Sequence, residues 1–255
     1  MIEIKTPAEI ARMRAAGRIT ARALQAAKEA ARPGMALDEL DAVAAKVIAD
    51  AGADPVFLGY QPHGAPTPYP GVACISVNDA IVHGIPGRYR LRAGDLVSVD
   101  CGAKLDGWCG DAAISFTVGE ASPEDADLIA TTTRALEAGI AAAVPGARLG
   151  DVAHAIGSVV RSSRYGLMAD HGGHGIGRQM HEAPHVPNEG RPHRGVRLQP
   201  GLVLALEPML IAGGRDDYVT DPDGWTLRSA DGTRAAHVEH TVAVTEDGPR
   251  VLTTL

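Results

Sequence analysis

Two ten-residue stretches decide the fold of this chain: Leu91–Asp100, LRAGDLVSVD, and Leu198–Glu207, LQPGLVLALE. Each opens on Leu-x-x-Gly and closes an apolar run on a carboxylate nine residues after its leucine. Working outward, the motif Pro33-Gly34-Met35-Ala36-Leu37 precedes the first stretch and Pro145-Gly146-Ala147-Arg148-Leu149 the second. His83-Gly84-Ile85-Pro86 and His181-Glu182-Ala183-Pro184 form a third pair, in the same order. Three echoes in register mark an internal repeat, about 6–118 and 122–250, within a single domain covering 1–255. Each half then contributes a carboxylate at the end of an apolar strand.

The elements around these stretches repeat as well. Thr6-Pro7-Ala8-Glu9 supplies an N-cap, a first-turn proline and a capping-box glutamate, predicting a helix that stops at Arg32-Pro33-Gly34. A second helix is expected from about Asp38 to Ala51. Residues 59–71, rich in Pro and Gly, read as a loop, followed by strands in VACISV, IVHGIP, DLVSVDCG and AAISFTVG. Ser122-Pro123-Glu124-Asp125 opens a helix to about Ala143, another spans roughly Asp151 to Tyr165, and GLVLALEP and AAHVEHTVAVT return to strand. Two helix-pair and strand units predict an α+β domain whose sheet curves between flanking helices, with the site where the halves meet.

Composition narrows the function. The 255 residues are 45% hydrophobic and 22% charged, enough to bury roughly 70 to 75% of the unfolded surface. A net charge of −7 without a basic block argues against a nucleic-acid or membrane partner. Cys74, Cys101 and Cys109 contain no C-x-x-C and cannot pair fully, which fits a reducing cytoplasm. The charged start MIEIKTPAEIARMR is unlike a signal peptide, and the longest apolar stretch, LVLALEPMLIA, is broken by Glu207.

The chemistry lies in the carboxylates and histidines. Asp106-Gly107 is a two-residue hairpin turn, which sets 105 opposite 108, 102 opposite 111 and 100 opposite 113. Asp100 and Asp111 thereby become diagonal neighbours on one face, roughly 7 Å apart. Glu207 ends an apolar strand before Pro208, Glu239 shares a face with His237 and Thr241, and His174 sits in the small-residue run GGHGIG. Four carboxylates in one pocket would repel by roughly 3 kcal/mol per pair at about 5 Å and an effective dielectric near 20. Two divalent cations match their charge. One imidazole among oxygen ligands suits Mn, Fe or Co at least as well as Zn.

VHGIP, VDCGAKLDGWCGDAA, GGHGIGRQMHEAP, LALEPM, AAHVEHTVAVTEDG and the N-terminal IKTPAEIARMRAAGRI together resemble the type I methionine aminopeptidases over nearly the whole chain. The resemblance implies the pita-bread fold and removal of the N-terminal methionine from nascent proteins and peptides by metal-activated water, with a small second residue preferred. It implies Asp100, Asp111, His174, Glu207 and Glu239 as ligands of two divalent ions (Co, Mn, Fe or Zn), with Asp111 and Glu239 bridging. His83 and His181 match the substrate-contacting histidines, and Glu207 the general base. Phe57, Tyr60, Cys74, Met180 and Trp225 match or neighbour the methionine pocket. The walls of GGHGIG are expected to limit the second residue. A cytoplasmic monomer in transient ribosome contact is implied. Departures are a longer 61–73 loop, a shorter stretch between His154 and His174, Met180 in place of a frequent Phe and Cys109 in place of a frequent His. Prolidases and aminopeptidases P would share the ligands, but they usually carry a large N-terminal domain, for which no room is expected ahead of Thr6. The full ligand set also disfavours an inactive binding protein, and a dinuclear phosphoesterase would be expected to use more His and Asn.

Overall fold

The computed structural model describes residues 2–255. In chain order the elements are helices α1 (Pro7–Ala30) and α2 (Leu37–Asp50), then strands β1 (Asp54–Pro55), β2 (Ala73–Val77), β3 (Ala80–Val82), β4 (Leu96–Leu105) and β5 (Trp108–Thr117). Helices α3 (Pro123–Ala142) and α4 (Leu149–Arg161) follow, with β6 (Gly166–Leu167), β7 (Gly172–Gly175), β8 (Glu182–Pro187), β9 (Val203–Leu206) and β10 (Met209–Ile211). The chain closes with β11 (Tyr218–Thr220), β12 (Leu227–Ser229), β13 (Ala235–His237), β14 (Glu239–Thr245) and β15 (Gly248–Val251).

Local chemistry starts the helices as the sequence predicts. Thr6 Oγ1 accepts from Glu9 N while Glu9 Oε2 accepts from Thr6 N, and Ser122 Oγ caps α3 by accepting from Asp125 N. The other two helices lack a capping side chain at the N-cap itself. Instead Glu39 accepts from Ala36 N at 2.8 Å and Asp151 from Arg148 N at 2.7 Å. This shared device belongs to a larger correspondence. Gly34 N bonds Leu91 O and Leu91 N bonds Met35 O; Gly146 N bonds Leu198 O and Leu198 N bonds Ala147 O. Gly34 and Gly146 have φ of 87° and 88°, and Gly94 and Gly201 have 86° and 94°, left-handed values that carry little penalty only for glycine.

A nine-stranded antiparallel sheet runs β1-β4-β5-β14-β9-β7-β8, with β2 on β4 and β15 on β14. Helices α1 and α2 cover the first half through Ile19, Leu24, Leu40 and Ile48 packed with Ile75, Val97 and Val99. In the second half Leu128, Leu136, Val152 and Ile156 pack with Leu204, Leu206 and Val242. The α1 crossing is close: Thr20 Oγ1 donates to Gly110 O at 2.9 Å, and a Cβ on Gly110 would lie 2.6 Å from Gly17 N. Two smaller sheets, β13-β10-β6 and β11-β12-β3, complete the α+β architecture.

Three expectations change in detail. IVHGIP is strand only through Val82, because His83 turns to φ 60° and breaks the extended run. AAHVEHTVAVT is two strands interrupted at Val238, with β13 joining β10 and β14 joining the main sheet. Helix α4 ends at Arg161 rather than near Tyr165, where Arg161 pairs with Glu189 and Asp216.

Candidate metal centre and substrate pocket

The β4–β5 hairpin has the register read from Asp106-Gly107: Leu105 faces Trp108, Gly102 faces Asp111 and Asp100 faces Ala113. Positive φ at both turn residues, 49° and 80°, makes it a type I′ turn that matches the strand twist. Strand β14 then sets Glu239 opposite Ala113, so Asp100, Ala113 and Glu239 form one row across three strands. In the neighbouring row Thr241 faces Ala205, which faces His174. Thr241 Oγ1 accepts from Asp111 N at 3.0 Å and donates to Asp111 O at 2.7 Å, joining Asp111 to this row. Since directly opposed residues share a face, all these side chains emerge on one side of the sheet. Glu207 follows β9 immediately, and Asn188 Nδ2 holds its carbonyl at 3.0 Å.

Asp111, His174 and Glu239 offer donor atoms within 4.8 Å of one another, as do Glu207, His237 and Glu239. Glu207 Oε1 lies 3.7 Å from His174 Nε2, and Asp111 Oδ2 lies 3.9 Å from it. His174 Nδ1 is held against Gly175 O at 2.9 Å, which leaves Nε2 for the cluster. Asp100 Oδ1, Asp111 Oδ1 and Glu239 Oε1 are buried without a hydrogen-bond partner. Unpaired buried carboxylates are costly, and here burial drives the protonation states. Desolvation, then the Glu207 charge, pushes Asp111 up to about 8, while desolvation pushes Glu207 to about 8. Asp100 and Glu239 rise well above the carboxylate range for the same reason, with neighbouring carboxylates adding to the shift. Burial also pushes His174 down to about 3, so it presents a neutral nitrogen. A hard, oxygen-rich donor set with one neutral imidazole fits divalent cations, which reverse the electrostatics that otherwise keep these acids protonated.

Above the cluster lies a cavity of about 270 Å³ whose wall includes Phe57, Tyr60, Cys74, Met180 and Trp225, with His83 and His181 beside the carboxylates. All twelve residues singled out in the sequence line it or its floor. Tyr60 and His181 Nδ1 share a 2.8 Å hydrogen bond, and the His181 ring lies against His174, tilted by 59° with 4.2 Å between ring centres. His83 meets Trp225 edge-on at 6.4 Å. Burial pushes His83 to about 3 and His181 to about 4, so both are neutral near pH 7. The Cys74 thiol, opposite Asp100 across β2 and β4, is raised well above its ordinary range by burial first and then by Asp100. It stays an apolar wall.

Sequence reasoning missed Pro62 and, because of the longer 61–73 loop, left Tyr69 unassigned; both are in the cavity wall. Tyr69 hydroxyl donates to Gly84 O at 2.8 Å and its ring packs edge-on against Trp225 at 5.1 Å, contacts that no local pattern announces. It also assigned no role to His237, although the alternation of AAHVEHTVAV placed that residue on the face of Glu239. The expectation that GGHGIG forms a small-residue wall is corrected: of that run His174 alone lines the cavity. Gly173 and Gly175 instead allow close approach of the Ala205 and Ala183 backbones, where a Cβ would collide.

Residues 11–246 match metallopeptidase family M24. Methionine aminopeptidase 1 of Mycobacterium tuberculosis is 53% identical, over 98% of this chain and 94% of that protein. The crystal structure of methionine aminopeptidase from Thermotoga maritima superposes with a TM-score of 0.94 at 40% identity, covering each chain completely. Prolidase from Pyrococcus furiosus shares the fold at a TM-score of 0.79 and 23% identity, with 99% of this chain covering 65% of that one. A full-length match at this identity, on a sheet that gathers four carboxylates and one imidazole, shows that the chain belongs to metallopeptidase family M24, on its methionine aminopeptidase branch.

Proposed function

We propose that this chain is a dinuclear metal-dependent methionyl aminopeptidase that removes the N-terminal methionine from polypeptides with a small second residue. The observation that carries the reading is the placement of four carboxylates, Asp111 and Glu239 among them fully buried, and His174 at the floor of an apolar, sulfur- and aromatic-lined cavity. Asp100, Asp111, His174, Glu207 and Glu239 would hold two ions, with Asp111 and Glu239 shared and Co, Mn, Fe or Zn as the candidates. Bound there, such ions supply Lewis acidity and acidify water toward neutral pH.

The protein groups do the rest. Glu207 acts as general base, its carboxylate, kept ionised once cations fill the cluster, accepting a proton from the attacking water. His83 and His181 hydrogen-bond the substrate amide as neutral imidazoles, adding no charge beside the cations. Phe57, Tyr60, Cys74, Met180 and Trp225 receive the methionine side chain, whose polarisable thioether favours aromatic and sulfur contacts. The domain 1–255 works as one catalytic unit in the cytoplasm, its halves 6–118 and 122–250 each supplying metal ligands and one substrate-facing histidine. No helix among the described residues is long and apolar enough to cross a membrane.

The test is kcat/KM for Met-Ala, Met-Lys, Leu-Ala and Ala-Pro peptides side by side. Met-Ala is expected to lead and Met-Lys to be rejected. A shortened or branched first side chain is discriminated by only about 1 to 3 kcal/mol per misplaced methylene. Efficient Ala-Pro cleavage with little Met-Ala cleavage would replace the reading with a proline-directed peptidase.

A further inference from the structure

Glu207 lies between two imidazoles, and only one of them belongs to the five-residue set. Its Oε1 is 3.7 Å from His174 Nε2, and its Oε2 is 3.6 Å from His237 Nε2. His237 is 2% exposed, and its Nε2 is buried with no hydrogen-bond partner. Its backbone is firmly held. His237 N donates to Ser115 Oγ at 3.0 Å, Ser115 Oγ donates to His237 O at 2.7 Å, and Ser98 Oγ lies 2.8 Å from Ser115 Oγ. These serines face each other across β4 and β5, one step along the sheet from the row of Asp100, Ala113 and Glu239. The sheet therefore aims His237 at Glu207 from the side opposite His174. Among the described residues, His237 is the only imidazole outside the five-residue set within 4.0 Å of that carboxylate.

Buried polar atoms are nearly always satisfied, and carboxylates that bind metal are themselves oriented by hydrogen bonds. We infer that His237 is a positioning residue for Glu207: its Nε2–H donates to Oε2 when the cluster is filled, which turns Oε1, on the His174 side, toward the cations. The inference rests on the assignment of Glu207 to the metal set proposed above. His237 acts through Glu207 and touches neither substrate nor ion. The four carboxylates already balance the charge of two divalent ions, so no further ligand is required.

The test compares His237→Leu, His237→Asn and His237→Gln in the full chain, stripped of metal and titrated with Mn²⁺ by calorimetry. Leu removes the donor, Asn is too short to reach, and Gln places an N–H near the position of Nε2. Leu and Asn are expected to weaken the tightest Mn²⁺ site by about 10- to 100-fold, with Gln within about threefold of the unchanged chain. Pulsed electron paramagnetic resonance should count one imidazole nitrogen, from His174, before and after each change. If the leucine variant does not fold, the Asn and Gln pair carries the same contrast. Mn²⁺ affinity within twofold in every folded variant overturns the inference, and so does loss of an imidazole coupling, which would make His237 a ligand. Failure of the parent reading looks different: the unchanged chain would bind no Mn²⁺, or Glu207→Gln would leave its affinity unaltered.

Discussion

His83 and His181 hold matching places in the two halves of the molecule, yet their surroundings differ. His83 follows β3 with a left-handed backbone, is half-buried and stands against Trp225. His181 lines the cavity, bonded to Tyr60 and tilted by 59° against His174. The paired carboxylates diverge in the same way. Asp100 lies within a long strand with Cys74 opposite, whereas Glu207 stands just beyond a short strand, flanked by His174 and His237. Repetition thus supplies a symmetric scaffold, and the surroundings of the residues set upon it differ; on the function proposed above, the base, Glu207, falls to the second half.

The largest effect should come from removing what the two halves share. Chelation is expected to abolish activity while far-UV circular dichroism is retained, and Mn, Co or Fe should restore turnover. Full activity in protein shown metal-free by elemental analysis would break the comparison, because the carboxylates would then have no joint task. The chelated protein should also respond to pH in a characteristic sense. Unfolded, Asp111 and Glu207 ionise near 3.8 and 4.5; folded without cations, they keep their protons to about 8. Between those values the two carboxyls hold their protons in the folded state, so the stability they contribute is greatest on the acid side and is lost as pH rises toward 8. His83, His174, His181 and His237, kept neutral by burial, act in the opposite sense up to about pH 6.5, so the melting temperature of the chelated protein should fall from about pH 7 to 8, and the gap to the metal-loaded protein should widen. A melting temperature that rises over this range contradicts the burial argument.

Next in size is Glu207→Gln, which keeps shape and removes the base. Turnover should drop by about 10² or more, with one metal site weakened. Near-normal kcat would reduce Glu207 to a structural carboxylate and remove the asymmetry assigned to the second half. His181→Ala should lower kcat by up to about 10², as loss of a transition-state hydrogen-bond donor does, without changing metal stoichiometry. Loss of one metal equivalent would make His181 a ligand instead. Tyr60→Phe tests the smallest element, the hydroxyl that orients His181. A neutral hydrogen bond is worth about 0.5 to 1.5 kcal/mol, so kcat/KM for Met-Ala should fall by roughly 2- to 10-fold. An unchanged value would show that the ring contact with His174 alone orients the imidazole.

Much of the centre was legible before any coordinates because its determinants are local. Asp106-Gly107 sets a hairpin register that places Asp100 and Asp111 on one face, and the nine-residue spacing repeats at Glu207. The pocket was legible through resemblance, and Tyr69 escaped because its anchor, Gly84 O, lies 15 residues away. The glycines of GGHGIG were misread for a related reason. A small residue beside a ligand looks the same in sequence whether it opens space for substrate or, as Gly173 does here, for the Ala205 backbone.

From the sequence alone follow the repeat, the four helices with their main start signals, the hairpin and the identity of the carboxylates and histidines. Caps, turn residues and alternation act over a few residues and are written out in order. Tertiary structure alone decided where β13 breaks from β14, how His83 leaves β3, that α4 stops at Arg161, and that His237 faces Glu207. Three of these depend on a partner far along the chain: Met209 opposite His237, Glu189 and Asp216 on Arg161, and Ser98 and Ser115 beneath the break. Such contacts are selected by packing and by the need to satisfy buried polar groups, which operate only once distant segments have come together.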